Sequence, residues 1–141
     1  MDGTLTVAFH MFRAAASHLT SQQYAGIINI TSRGQFGDVK ASSCAANAGI
    51  MGLAKALSLG RGAQGVTVNA VAPAIIDTKR LRTLPYLAGM EERSKAVLPI
   101  KHFGSVDEVA SRVCHLASAH TGFISGEVVH ISGRRHGRAV H

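Results

Sequence analysis

Tryptophan is absent from this 141-residue chain, aromatic residues make up 5% of it, and cysteine and proline occur two and three times. Cys44 and Cys114 are far apart and lack metal-type spacing, which argues against a disulfide framework or a zinc site. Both are expected as small buried side chains on separate helices. No apolar run approaches the roughly 20 residues of a membrane span, because Arg, Lys, His, Asn or Gln breaks every candidate. No membrane partner is expected. Met1, Asp2 and Gly3 do not open a basic region leading into an apolar core, so no secretory signal is read and a cytoplasmic location is expected. Acidic residues are scarce as well, 8 against 15 Lys and Arg, for a formal net charge of +7. That charge suits nucleic acid or an anionic ligand, yet the basic residues are scattered except at Arg134, Arg135, His136 and Arg138. A solvated basic tail explains it, and nucleic-acid binding is not expected. The eight histidines show no H-x-H or H-E-x-x-H spacing, so no metal site is expected.

What is present is an ordinary globular composition, 46% apolar with 15 glycines, long enough for one domain that buries roughly two-thirds of its unfolded surface. Leu5, Phe9, Phe12, Ala16 and Leu19 recur at spacings of four and three, which predicts a helix over 4–20 in need of a partner surface. Gly26 introduces the β-branched run Ile27 to Thr31, a buried strand over 26–32, followed by a loop holding Gly34 and Gly37. From Ser42 to Leu59 there is no proline, and apolar or small residues go all round the helical wheel, which predicts a buried helix over 42–60. Ala45, Gly49, Gly52 and Ala56 give it a face that another backbone can approach closely.

Val66 to Val71 reads as a second buried strand over 65–71, stopped by Pro73. Residues 74–104, including Leu84, Pro85, Tyr86 and Leu87, look irregular, with a short helix around 90–97. Ser105 and Glu108 have the form of a capping box, opening a helix over 105–118 with an apolar stripe of Val106, Val109, Val113 and Leu116. Val128 to Ile131 forms a last strand over 127–131. This alternation predicts an α/β fold with a parallel sheet built by right-handed crossovers.

Four stretches in order resemble the short-chain dehydrogenase/reductase family, particularly its 3-oxoacyl-thioester reductase branch. GIINITS at 26–32 resembles the strand that ends on the family's catalytic serine. SCAANAGIMGLAKALS at 43–58 resembles the helix carrying Tyr-x-x-x-Lys and then Ala-Gly. GVTVNAVAPAIIDT at 65–78 is similar to the strand and cofactor loop usually written Val-Asn-x-Val/Ile-x-Pro-Gly-x-Ile/Val-x-Thr, the most specific match. LPIKHFGSVDEVASRVCHLAS at 98–118 and FISGEVVHISG at 123–133 resemble the family's penultimate helix and closing strand. The resemblance implies that residues 1–133 are the C-terminal half of such a domain, with 134–141 a basic tail. The implied architecture is a partial Rossmann-like three-layer fold, a half-sheet of about three strands with packed helices.

The family begins with a glycine-rich loop that sets a helix N-terminus against the cofactor pyrophosphate, and nothing here corresponds to it. Its tyrosine protonates the carbonyl while hydride arrives from nicotinamide, and its lysine lowers the tyrosine pKa and holds the ribose. Aligning Ala48 and Gly49 with the family's Ala-Gly puts Ser43 at the tyrosine position and Asn47 at the lysine position, and residues 38–60 contain no tyrosine. A serine hydroxyl is a far weaker acid than a phenol, and a neutral amide supplies no positive field. Ala8, in LTVAF, replaces the family's active-site asparagine. Ser32 matches the carbonyl-binding serine; a strand-end hydroxyl bonding a loop backbone is the equal alternative.

Pro73, Ile76 and Thr78 match residues that in the family contact the nicotinamide carboxamide and a phosphate. Ala74 stands where glycine is usual, and Pro73 ending a buried strand is the simpler reading of this loop. Asp77, Asp107 and Glu108 are read as capping and solubility residues. The resemblance therefore implies an oxidoreductase using NADP or NAD, catalytically impaired, with no millimolar-or-better NADPH affinity for this chain alone. The alternatives are a non-catalytic oligomerising or regulatory subunit of an intact relative, or a truncated gene product. Homo-oligomer or hetero-oligomer contacts are expected through helices 4–20 and 42–60.

Overall fold

The computed structural model describes residues 3–21, 24–33, 41–85 and 87–133. Gly34, Gly37, Tyr86 and the basic segment 134–141 lie outside the described residues. Three parallel strands, β1 (Ala25–Ile30), β2 (Val66–Pro73) and β3 (Val128–Ile131), pair in the order β1-β2-β3. The helices are α1 (Thr4–Thr20), α2 (Ala41–Arg61), α3 (Lys79–Arg82), α4 (Leu87–Val97) and α5 (Val106–Ala117). This is the expected α/β half-sheet.

Alternation along the strands separates two faces. Ala25, Val66, Val68 and Ala70 pack with Ala54 of α2, joined by Leu19, Ile27, Leu57 and Val128, so α1 and α2 cover this face. Gly26 and Thr67 point the other way. A Cβ on Gly26 would lie 3.7 Å from the Tyr24 hydroxyl, which donates to the carbonyl of Ser118 at the end of α5. The fold is three-layered, with α5 on the face of the sheet opposite α1 and α2. Central β2 is buried along all but its last residue, as a strand with neighbours on both edges and helices on both faces must be. Edge strand β1 is only half-covered, and Ile30 is 53% exposed.

Four expectations need correction. First, both crossovers step the same way across the sheet, but α2 and α5 lie on opposite faces, so the two connections differ in hand and cannot both be right-handed. Second, α2 is buried only along Ala46, Ile50 and Ala54, while Ala45, Gly52 and Ala56 are exposed. Small apolar residues all round a helix permit burial without supplying the neighbours for it. Third, 74–104 is more regular than expected: the short helix expected around 90–97 is present as α4 but begins at Leu87, and α3 precedes it. Fourth, Cys114 is exposed and Cys44 half-buried, and Val106, in the first turn of α5, is exposed too. The Ser105–Glu108 capping box is present in full.

The sheet's second joint is polar. Asn69, 1% exposed, donates from Nδ2 to Ile124 O at 2.8 Å and accepts from Glu127 N at 3.1 Å. Val68 N donates to Ser125 Oγ, and Gly126 N to Val68 O at 2.7 Å, so the turn before β3 is sewn onto β2. Gly126 has φ +82°, and a Cβ there would lie 2.7 Å from Ser58 Oγ. Gly126→Val is expected to cost about 2 kcal/mol or more, from the left-handed backbone and the contact together, read as a lowered thermal midpoint.

Candidate functional site

Where parallel strands end, backbone leaves the sheet and polar groups can meet a ligand. Thr31 N donates to Val71 O at 2.9 Å, extending the β1–β2 pairing one residue beyond β1 and placing Ser32 at the lip of the sheet. The Thr31 side chain is buried beneath α2. Its Oγ1 donates to Asn47, 3.0 Å from the main-chain oxygen and 3.1 Å from Oδ1. Asn47 Nδ2 in turn donates to Ser43 O at 2.9 Å and lies 3.3 Å from Ser43 Oγ. The positions matched to the family's tyrosine and lysine are thus brought together, but as a Thr31–Asn47–Ser43 chain that pins α2 to the end of β1. Both ends of the Asn47 amide are occupied within the protein.

Ser32 is half-buried beside this chain, and Ala8 on α1 is half-buried with only a methyl group to offer. Thr31 went unremarked in the sequence because its partner stands 16 residues away on another element. The only available signal was its β-branched hydroxyl one place before a strand end.

The loop after β2 is held at several points. Ala74 N donates to Ile131 O, Gly104 N to Ile75 O at 3.1 Å, and Asp77 N to Gly104 O at 2.8 Å, forming a parallel bridge of Ile76 with Gly104. A Cβ on Gly104 would lie 2.7 Å from Ile76 Cδ1, so glycine lets the two segments close. Thr78 Oγ1 accepts from Leu81 N at 3.2 Å and caps α3. Asp77 accepts two bonds from Arg82, 2.8 Å from Nε and 2.7 Å from Nη2. The loop keeps Pro73, Ile76 and Thr78 on one short segment tied to the end of β3 and to Gly104.

Hydrogen bonding to Arg82, with its charge adding to the effect, lowers the Asp77 pKa. The Ser105 backbone N–H, 2.6 Å from Oε2, does the same for Glu108, helped by the Ser105 hydroxyl and His102. Both carboxylates have folded values below their unfolded ones, so their stabilisation is present above the ordinary values of 3.8 and 4.5 and is lost as pH falls through the folded values. Thermal midpoints measured from about pH 6 to about pH 3 are expected to fall only below about 4.5, modestly, because both groups face solvent.

Among the described residues no group of three or more His, Cys, Asp or Glu could hold a metal ion, and no helix is long and apolar enough to cross a membrane.

A parallel sheet between helix layers is a partial Rossmann-like fold, and Ser32 and the Pro-x-x-Ile-x-Thr loop stand at the carboxyl edge of that sheet. The family model for enoyl-(acyl carrier protein) reductase matches residues 1–133, and the chain belongs to the short-chain dehydrogenase/reductase family. It is 36% identical over 137 residues to the acetoacetyl-CoA reductase of Shinella zoogloeoides, covering 94% of this chain and 56% of that protein. It is 38% identical over 133 residues to the acetoacetyl-CoA reductase of Rhizobium meliloti (strain 1021), covering 92% and 54%. The 3-oxoacyl-(acyl-carrier-protein) reductase of Rickettsia typhi is 34% identical over 140 residues, covering 94% and 55%. The chain spans about half the length of the curated relatives it matches.

Asn47 and Thr78, both neutral, offer a nicotinamide dinucleotide no charge, and within the chain the Asn47 amide is already bonded to Ser43 and the Thr78 hydroxyl oxygen to Leu81 N.

Proposed function

We propose that this chain is a catalytically impaired member of its oxidoreductase family, whose retained role is to associate through α1 and α2 with a second copy or an intact relative. The observation that carries the reading is an open apolar groove of about 450 Å³ between these helices, lined by Leu5, Phe9, Gly49, Gly52, Leu53 and Ala56. Val7 (56%) and Met11 (66%) stand exposed on α1, and no residue of α1 is fully buried. An apolar helix pair left this open favours a partner over water. The Thr31–Asn47–Ser43 chain supports the catalytic half of the reading, because a tyrosine and lysine there would do chemistry where this chain has a structural tie.

Edge strand β1 supports association as well. Its Ile30 is 53% exposed, apolar surface that a covering chain would remove from water. The relatives' names give the substrate class to try for residual activity, short 3-oxoacyl thioesters with NADPH or NADH. The deciding experiment is light-scattering mass of the purified chain with and without NADPH, with NADPH fluorescence followed in the same samples. A homogeneous oligomer is expected, unchanged by NADPH, with no saturable fluorescence signal up to about 1 mM. A cofactor-dependent change in mass or fluorescence would return the chain to the working reductases. Aggregation without cooperative unfolding would make it a truncated product.

A further inference from the structure

The open edge of β1 and the outer side of α5 face the same way. Thr31 N donates to Val71 O, so by the alternation of a parallel ladder Ile27 and Asn29 also turn their backbone groups toward β2, while Ile28 and Ile30 turn theirs outward. No strand among the described residues pairs with that edge. The Ile28 and Ile30 side chains share the parity of Gly26 and so stand on the α5 face, where Ile30 is 53% exposed.

α5 runs from the carboxyl edge of the sheet, where Gly104 bonds Ile75 and Asp77, back to Ser118, whose carbonyl accepts from Tyr24 just before β1. A cavity lined by Arg33, Leu98 and Ile131 takes Glu108, Ser111 and Arg112 as a wall, which marks the β3 side of the helix. Buried Leu116 marks the side against the sheet. At about 3.6 residues per turn, Val106, Ala110, Val113 and Ala117 then line the side away from β3, over the open edge of β1. Val106, Ala110 and Ala117 are exposed, and Val106, 54% exposed, lies at the same end of the sheet as Ile30. A strand alone would pair β1 and leave this stripe in water, whereas a strand joined to a helix on the α5 face would cover both. The matches take in 92–94% of this chain but 54–56% of the two acetoacetyl-CoA reductases, so those proteins carry nearly as much chain again outside the match.

We propose that this flank docks a second, non-identical polypeptide of the kind that fills the remaining length of the relatives, with a strand parallel to β1 and an amphipathic helix against the α5 stripe. The surface is separate from the α1–α2 groove, though both readings rest on this chain working with a partner. The probe is the segment of the Shinella zoogloeoides reductase that lies outside the match, co-expressed with the full chain carrying Gly52→Arg, so that association through α1 and α2 is out of play. An equimolar complex is expected by light scattering, with amide hydrogen exchange slowed about tenfold or more at Ile28 and Ile30 and little changed at Ile27 and Asn29. Ala110→Arg, at an exposed helical position, is expected to lose the complex while keeping cooperative unfolding, and Ile30→Lys is expected to weaken it from the strand side. The proposal is overturned by the absence of a complex, by a complex in which Ile28 and Ile30 exchange as before, or by an Ala110→Arg chain that binds as the parent does. Protection of Ile28 and Ile30 in the chain alone, at dimer mass, overturns it too and gives the edge to a second copy. Failure of the α1–α2 reading is seen separately, as parental mass for Gly52→Arg without the probe.

Discussion

Asn69→Ala is expected to be the most damaging single substitution in this chain, costing about 2–5 kcal/mol. The side chain is 1% exposed and makes two bonds across the β2–β3 joint, one to Ile124 O and one from Glu127 N. Alanine removes both and leaves the Ile124 carbonyl and the Glu127 N–H without these partners at a part-buried joint, each a penalty of at most about 1–3 kcal/mol. Whole domains hold only about 5–15 kcal/mol, so the folded fraction should fall sharply at physiological temperature. A urea titration measures the loss directly. A midpoint equal to the parent's would mean that the turn over 124–127 is held by its own backbone bonds, such as Gly126 N to Val68 O, and that Asn69 is incidental.

Gly52→Arg is expected to abolish association while leaving the chain folded. An ideal Cβ at Gly52 meets nothing within 4 Å, and the residue is exposed at the α1–α2 groove. Within the single chain the substitution is free of clashes, and replacing helical glycine with arginine favours the helix by somewhat under about 1 kcal/mol. In an interface the same side chain would place a charge and a long stem in the groove floor. Gly49 supplies the contrast, since a Cβ there would lie 2.6 Å from Leu5 Cδ2 and disturb the α1–α2 packing itself. The expected pattern for Gly52→Arg is monomer mass with cooperative thermal unfolding retained. An oligomer of parental mass would move the interface to another surface.

How much of this was legible before any coordinates depended on the range of the interaction involved. The span of α1, Thr4–Thr20, follows from apolar spacing within one helix, and the α5 start follows from a box closed over three residues. The three strands are short β-branched runs bounded by glycine or proline, and each was found to within a residue or two. The exposure of α2 was not legible, because it depends on which elements come to lie beside the helix. Thr78 matched a family phosphate contact, yet its hydroxyl oxygen caps α3, a role that rests on a helix of four residues too short to show a period. Likewise the Thr31–Asn47 tie and the cavity between Arg33, Leu98 and Ile131 join distant parts of the chain, and local spacing carries no trace of them.

The bridge between Ile76 and Gly104 bears on how such a chain can change over generations. By pinning the two ends of the intervening stretch to each other, Asp77 N to Gly104 O and Gly104 N to Ile75 O, it turns that stretch into an excursion whose closure is made at its base. Lengthening a loop closed in this way costs only about 0.6 kcal/mol per doubling. Residues around α3 and the start of α4 can therefore be inserted, deleted or exchanged with little effect on the sheet, provided that Ser94 and Leu98 keep their buried places. New pocket shapes can be tried on an unchanged frame.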